Sequence, residues 1–591
     1  MTEKSQPADD PVLSVRDLTT EVATPEGRRV VVDRLSFDLA AGETLCIAGE
    51  SGSGKSMTAL SIMRLLPEPM ARIASGSIHL AGRDLAALSG REMRRVRGAD
   101  IAMIFQEPMT SLNPVLSIGH QLTEAIRVHR PMPRGEARAL AVKALSAVRI
   151  GQPERRLQQY PHELSGGMRQ RVMIAMAIAG RPRVLIADEP TTALDVTVQA
   201  QILELIRTLQ KDFGTAVILI THDMGVVAEM ADRVIVMNGG AMVEAGPARQ
   251  IFHAPAEDYT RMLLAAVPRL GASQTVSDLA PPPASSVPDD TVVKVSDLTV
   301  RFDIVGGILR RPVQRVHAVE GISFDVRRGE TVALVGESGC GKSTTGKALL
   351  NLVPWDGAIV IDGAATAGLG RSAMKPIRRS IQMIFQDPYA SLDPRMTVGE
   401  LVAEPLTIHG LASGSELTDR VAWLFNRVGL SPDQMQRHPH EFSGGQRQRV
   451  CIARALSLSP KIIVADESVS ALDVSVQARV LALLQELQDE LGLSYLFISH
   501  DMAVVEQVSH RVAVMYLGQI VEMGSRAQVF GDPRHAYTRR LLEAVLVPDP
   551  DRRHGAFPIA DSEVPSPIHP VGQAPARLAM TDIGNGHFVA G

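Results

Sequence analysis

GESGSGKS, residues Gly49–Ser56, reappears with one change as GESGCGKS at Gly336–Ser343. Each octet follows a short apolar run, TLCIAG in the first copy and TVALVG in the second, and each opens a helix. Glycines let a backbone fold round an anion, and a helix start adds free N–H groups and the positive end of its dipole. Gly49, Ser51, Gly52, Gly54, Lys55 and Ser56 are therefore candidate nucleotide-binding residues, as are Gly336, Ser338, Gly339, Gly341, Lys342 and Ser343. The lysines suit β- and γ-phosphates, and Ser56 and Ser343 suit Mg²⁺. Chance produces one such octet in a chain this long with odds of roughly a few in a hundred. Two octets with the same motifs behind them remove coincidence.

Working outward, those motifs repeat in order. LSGGMRQR (Leu164–Arg171) returns as FSGGQRQR (Phe442–Arg449), VLIADEP around Asp188 as IIVADES around Asp466, and ITHDM around His222 as ISHDM around His500. Fixed order at nearly constant spacing marks duplicated domains rather than a short solenoid repeat. The boundaries read as a disordered N-terminus 1–10, a first domain 11–268, a Pro/Ser/Ala-rich linker 269–291, a second domain 292–547 and a loosely ordered tail 548–591. Runs such as AVILITH and YLFISH are short, rich in β-branched residues and leucine, and apolar on both faces. Such strands belong in a buried parallel sheet covered by helices, which gives an α/β fold of the P-loop type in two tandem copies.

An Asp ending a buried strand and a Glu directly after it recur in both copies. Asp188 and Asp466 suit the outer shell of Mg²⁺; Glu189 and Glu467 are placed to polarise an attacking water. His222 and His500 follow the next apolar strand, where a side chain reaches toward a γ-phosphate. Ser165 and Ser443 are expected to cap the helix that follows, and Gly166, Gly167, Gly444 and Gly445 to let amides approach a phosphate. Cys340, inside the second loop, is either a thiol activated by the helix start or a small residue at a permissive position. His162-Glu163 and His440-Glu441 lack the second His of a zinc site.

Composition sets the class. The 591 residues are 45% hydrophobic and 21% charged with net charge −4, as in soluble globular proteins. Near-balanced charge gives no reason to expect nucleic acid. No run of about 18 apolar residues spans a bilayer, and the polar start MTEKSQPADD is not a secretory signal. Three cysteines, at 46, 340 and 451, are too far apart for a CxxC-type site and fit a reducing cytosol.

The LSGGMRQR and FSGGQRQR motifs resemble the LSGGQ signature of the ABC transporter ATPases, and the resemblance covers nearly all of both domains. It implies, in each copy, a mainly parallel core sheet, an antiparallel β subdomain and a helical subdomain carrying the signature. It also implies head-to-tail pairing of the two domains. Lys55, Asp188 and Glu189 would then share one ATP with Ser443, Gly444 and Gly445. Lys342, Asp466 and Glu467 would share another with Ser165, Gly166 and Gly167. Gln106 and Gln386 match the family's Q-loop, close to the metal and γ-phosphate, and Ala193-Leu194-Asp195 and Ala471-Leu472-Asp473 its D-loop. Both sites retain their Glu, His and signature, so both are expected to hydrolyse ATP.

The family places an aromatic residue against adenine after the first strand. Phe302 fits that place in the second copy, whereas the first has Val22. Lost stacking weakens affinity by about 1 kcal/mol, so the two sites are expected to differ.

QEPMTSLNP (Gln106–Pro114), QDPYASLDPR (Gln386–Arg395), EDYTRMLLAAVP (Glu257–Pro268) and HAYTRRLLEAV (His535–Val545) resemble the di- and oligopeptide/nickel importer subfamily. The fused layout is similar to glutathione and peptide import ATPases. This implies peripheral attachment at the cytoplasmic face of the bacterial inner membrane, two permease subunits and an extracytoplasmic solute-binding protein. EVPSP (Glu563–Pro567) resembles the subfamily's C-terminal segment but continues without cysteine, so no iron–sulfur cluster is expected. Nickel, opine and oligosaccharide import are the alternatives within the subfamily. A tandem ATPase acting on ribosomes or DNA is disfavoured by the short Pro/Ser/Ala-rich linker, where ribosome-acting members usually have a long charged helical arm, and by the missing zinc cysteines. An exporter is disfavoured because exporters usually carry the membrane domain on the same chain.

Overall fold

The computed structural model describes residues 10–107, 111–192, 194–271, 290–306, 311–470, 472–554 and 567–591. The N-terminal residues 1–9, most of the expected linker (272–289), and the D-loop alanines 193 and 471 lie outside this set. Two units emerge. The first holds Met1–Leu194, Val198–Val267 and Leu546–Glu563; the second holds Asp195–Thr197, Pro268–Val545 and Val564–Gly591.

Among the described residues of the first unit ten strands run in chain order. They are β1 (Leu13–Thr24), β2 (Gly27–Leu39), β3 (Thr44–Ala48), β4 (Ala71–Leu80), β5 (Arg83–Asp84), β6 (Ile101–Ile104), β7 (Val184–Asp188), β8 (Ala216–Thr221), β9 (Arg233–Asn238) and β10 (Ala241–Pro247). One sheet has the order β10-β9-β3-β8-β7-β6, parallel except for the β9–β10 hairpin. The other, β2-β1-β4-β5, is antiparallel. The parallel strands are apolar throughout because both of their faces are covered, and β3 shows how. Leu45 and Ile47 join the core shared with Val15, Leu18 and Ile62. Cys46 and Ala48 point the other way, into the core built from the helices Ile118–His129, Arg134–Ala147 and Gly166–Ile178. A side-chain period of two thus splits one strand between two cores.

The second unit repeats the plan with β11 (Thr291–Gly306), β12 (Arg311–Arg327), β13 (Thr331–Val335), β14 (Asp356–Ile361), β15 (Ala364–Ala365), β16 (Ile381–Ile384), β17 (Ile462–Asp466), β18 (Ser494–Ile498), β19 (Arg511–Tyr516) and β20 (Gln519–Ser525). Three further strands follow: β21 (Ile568–Pro570), β22 (Met580–Asp582) and β23 (Phe588–Ala590). They extend both sheets, giving β16-β17-β18-β13-β19-β20-β23-β22 and β15-β14-β11-β12-β21.

Over 567–591 these last strands correct the expectation of a loosely ordered tail; residues 555–566 of that tail lie outside the described set. Three-residue strands carry no visible periodicity, so the sequence does not announce them. Backbone pairing and a few buried anchors hold them instead. His587 Nε2 lies 2.8 Å from Oε1 of Glu522, a fully buried carboxylate that also accepts the Arg534 and His535 amides. The Gln519 side chain bonds the backbone of Ala576 and Leu578. Among the described residues no helix is long and apolar enough to cross a membrane.

Candidate nucleotide sites

In the first unit β3 ends at Ala48 and the chain turns through Gly49, Gly52 and Gly54 at φ of 146°, 78° and 97°. A Cβ on Gly49 would collide with the Met237 carbonyl, and one on Gly54 with that of Val31. Only glycine lets the loop pass so close to β9 and β2. The helix Lys55–Ile62 begins directly afterward, with Ser51 and Gly52 exposed at the loop tip. Lys55 is 5% exposed and donates to the Gly49 and Glu50 carbonyls, both at 2.8 Å. Ser56 Oγ donates to Asp188 Oδ1 at 3.0 Å, which joins the loop to the end of β7.

Glu189 follows at φ 46°, a left-handed conformation costly for a residue with a Cβ. That turn brings three side chains to its carboxylate. His222 Nδ1 lies 3.1 Å from Oε1, while Gln106 Nε2 and Thr192 Oγ1 donate to Oε2 at 2.8 and 2.9 Å. Burial opposes charge on Glu189, but the His222 bond and charge outweigh it and hold the carboxyl below its ordinary range. The same contact raises His222 against its own burial. Burial pushes Asp188 up to about 6, with the Ser56 bond working against it.

The second unit builds the same cluster. Gly336, Gly339 and Gly341 have φ of 145°, 79° and 107°, and Ser338 and Gly339 are exposed at the tip. Lys342 Nζ donates to the Gly336 and Glu337 carbonyls at 2.7 and 3.0 Å, and Ser343 Oγ to Asp466 Oδ1 at 2.7 Å. Glu467, at φ 45°, accepts from Gln386 Nε2 at 2.7 Å and lies 3.4 Å from His500 Nδ1. Ser470 stands where Thr192 does but bonds the Glu467 backbone carbonyl, so among the described residues this carboxylate has no third side-chain donor like that of Glu189. Cys340 is buried, and burial pushes its thiol up, which favours the permissive-position reading.

The structure gathers Lys55, Ser56, Gln106, Asp188, Glu189 and His222 in one place, and their counterparts in the other. Among the described residues no hydrogen bond joins Ser165, Gly166 or Gly167 to the first cluster. Those residues head the helix Gly166–Ile178, with Ser165 Oγ accepting the Met168 amide at 3.3 Å. Ser443 caps the helix Gly444–Leu456 with a reciprocal bond from its own amide to Gln446. The two signature glycines have different neighbours. A Cβ on Gly167 would press on Val198 and one on Gly445 would collide with Val476, whereas Gly166 faces open space.

Phe302, 38% exposed, pairs across β11 and β12 with Val316; at the equivalent place in the first unit Val22 pairs with Arg29. Sequence reading missed Thr192, a hydroxyl three residues after the Glu, and the left-handed turn at each Glu, which residue type does not signal.

Residues 32–192 and 319–470 match the ABC transporter family, one match over each loop-to-glutamate span just described. The chain belongs to the ABC transporter ATPase family. This ABC ATPase is an ATP-hydrolysing transport enzyme, and it matches the C-terminal region of oligopeptide/dipeptide transporters at residues 243–290 and 521–572. It is 55% identical over 588 residues to the glutathione import ATP-binding protein GsiA of Salmonella paratyphi A, covering 96% of this chain and 94% of that protein. The GsiA of Escherichia coli O157:H7 is 54% identical over 601 residues, with 98% and 96% covered. A solved post-hydrolysis dimer of the ATP-binding cassette MJ0796 with ADP and Pi is 26% identical and covers 40% of this ABC ATPase and 98% of that chain, with a TM-score of 0.37.

Proposed function

We propose that this ATPase powers uptake of a peptide-like solute across the bacterial inner membrane, with glutathione the favoured cargo. Its full-length similarity to proteins named glutathione import ATP-binding proteins carries this reading. Di- and oligopeptides come next, and nickel, opine or oligosaccharide import is the alternative. The working assembly is two permease subunits, an extracytoplasmic solute-binding protein and this chain, peripheral on the cytoplasmic face. Head-to-tail pairing, with each signature completing the other site, rests on resemblance of the signature motifs alone.

In each site the lysine, which donates to two loop carbonyls, is the cation for the β- and γ-phosphates. The ionised Glu189 and Glu467 orient the attacking water and accept its proton. His222 and His500 keep those carboxylates charged and aimed, and Gln106 and Gln386 bond the same carboxylates from the other side. The residues suit a divalent cation. Each site offers a serine hydroxyl beside a buried aspartate, and burial together with the neighbouring Glu189 charge raises Asp188. Ser56, Gln106 and Asp188 would hold Mg²⁺ in the first site, and Ser343, Gln386 and Asp466 in the second. When bound, Mg²⁺ offsets phosphate charge.

The test is uptake of labelled glutathione, a dipeptide, a longer peptide and Ni²⁺ in the native host. Wild type is compared with a strain carrying Glu189→Gln and Glu467→Gln together. ATP hydrolysis is expected to fall about 10²–10⁴-fold, with glutathione entry stopping while the others continue. Unchanged glutathione entry alongside lost hydrolysis overturns the cargo. Undiminished hydrolysis overturns the role given to the glutamates.

A further inference from the structure

The C-terminal strand β21 lies against the part of β12 that leads to the second phosphate loop. Val316 pairs with Ile568, Arg315 with His569 and Gln314 with Pro570, and the His317 amide donates to the Pro567 carbonyl at 2.9 Å. Farther along β12, at Ala318, the carbonyl oxygen is the atom that a Cβ on Gly341 would strike. The pairing slips by one residue here, Val300 pairing with Val319 and Arg301 with His317, so Ala318 sits at a bulge two residues beyond Val316.

Directly paired residues in antiparallel strands share a face. Phe302, Val316 and Ile568 therefore form one row across β11, β12 and β21. None is fully buried: Phe302 is 38% and Ile568 39% exposed, with Val316 intermediate. Two strand spacings make this apolar row about 10 Å wide, the breadth of a purine nucleoside. The opposite face does a different job. His569 meets the His317 ring edge-on with centroids 5.3 Å apart, while Arg577 reaches Asp297 at 2.8 Å. Polar contacts thus pin the tail from one face and leave Ile568 on the other.

Among the described residues the first unit has no such row. There β2 is the edge of its sheet among the described residues, and the corresponding pair is Val22 with the exposed Arg29.

We infer that Ile568 is a specificity-determining residue of the second ATP site, extending the Phe302–Val316 surface so that the C-terminal strand contacts the purine nucleoside. The inference rests on the reading of Phe302 as the base-stacking residue. It makes the two ATP sites unequal through a segment that follows both ATPase domains in the chain.

The test is equilibrium binding to the full chain. Lys55→Ala silences the first site and Glu467→Gln prevents turnover, and ATP and inorganic tripolyphosphate are the probes. In that background Ile568→Ser is expected to weaken ATP binding about 3- to 10-fold, to leave tripolyphosphate binding unchanged, and to be rescued by Ile568→Leu. Equal losses for both probes would mean that the strand only supports the loop, and unchanged ATP binding would mean that Ile568 does not contact the nucleoside; either overturns the inference. Phe302→Ala separates the levels. If it weakens ATP and Ile568→Ser does not, the inference alone fails. If neither weakens ATP, the base-stacking assignment of Phe302 fails with it.

Discussion

At the residue scale, the informative positions are those where a backbone conformation serves chemistry. Gly54 sits at φ 97° with the Val31 carbonyl in the place of a Cβ, so two independent restrictions require glycine there. We expect Gly54→Ala to abolish nucleotide binding at the first site, measured by ATP titration of a Lys342→Ala background. Gly166→Ala, which meets open space, should leave binding by the loop intact. Retained binding in Gly54→Ala would show that the loop can rearrange away from β2. Glu189 and Glu467 are the opposite case, since glycine would fit their left-handed turn better but could not supply the carboxylate.

At the element scale, the β11–β12 pair is tied by one buried carboxylate. Glu320 accepts from Arg301 and lies 2.8 Å from His317 Nδ1. Burial works against its charge, but the Arg301 and His317 contacts outweigh this and hold its pKa below the ordinary value. A depressed carboxyl stabilises fully above its unfolded pKa of about 4.3 and loses that contribution as pH falls through its folded value. Both tryptophans, Trp355 and Trp423, lie in the second unit, so their fluorescence reports its unfolding. Wild type should lose stability in urea as pH drops below about 4.3. Glu320→Gln should start roughly 1–3 kcal/mol lower at neutral pH and show a shallower acid decline. Parallel acid limbs would remove Glu320 from the cause.

At the scale of the whole molecule, chain order and unit membership part company at the C-terminus. Residues Leu546–Glu563 belong to the first unit although they follow the second ATPase domain, and Val564–Gly591 belong to the second. The docking is polar and specific. Glu229, 3% exposed, is bonded by Arg207 and by the backbone and ring of His554, while Arg553 donates to the Ala228 and Ala231 carbonyls. Glu229→Gln combined with His554→Ala should lower the first unit's melting transition by a few degrees. Circular dichroism would show that shift without a matching one in tryptophan fluorescence, which reads the second unit alone. Equal shifts in both signals would mean that the contact is not confined to the first unit's stability.

Both ATPase domains, their parallel strands and the loop, aspartate, glutamate and histidine positions were legible because each is a short local pattern and each occurs twice. Duplication turned weak signals, such as His222 or the Asp188-Glu189 pair, into strong ones. What remained illegible depends on residues far apart in the chain. That His222, Gln106 and Thr192 converge on one carboxylate follows from where the chain leaves β6, β7 and β8. The tail was illegible for a related reason: its strands are three residues long and draw stability from partners more than fifty residues away, such as Glu522 for His587. Local sequence therefore determined the chemistry present and its duplication. Tertiary structure alone decided how each carboxylate is held and that the C-terminus completes a sheet beside one phosphate loop, because such contacts form only once distant segments meet.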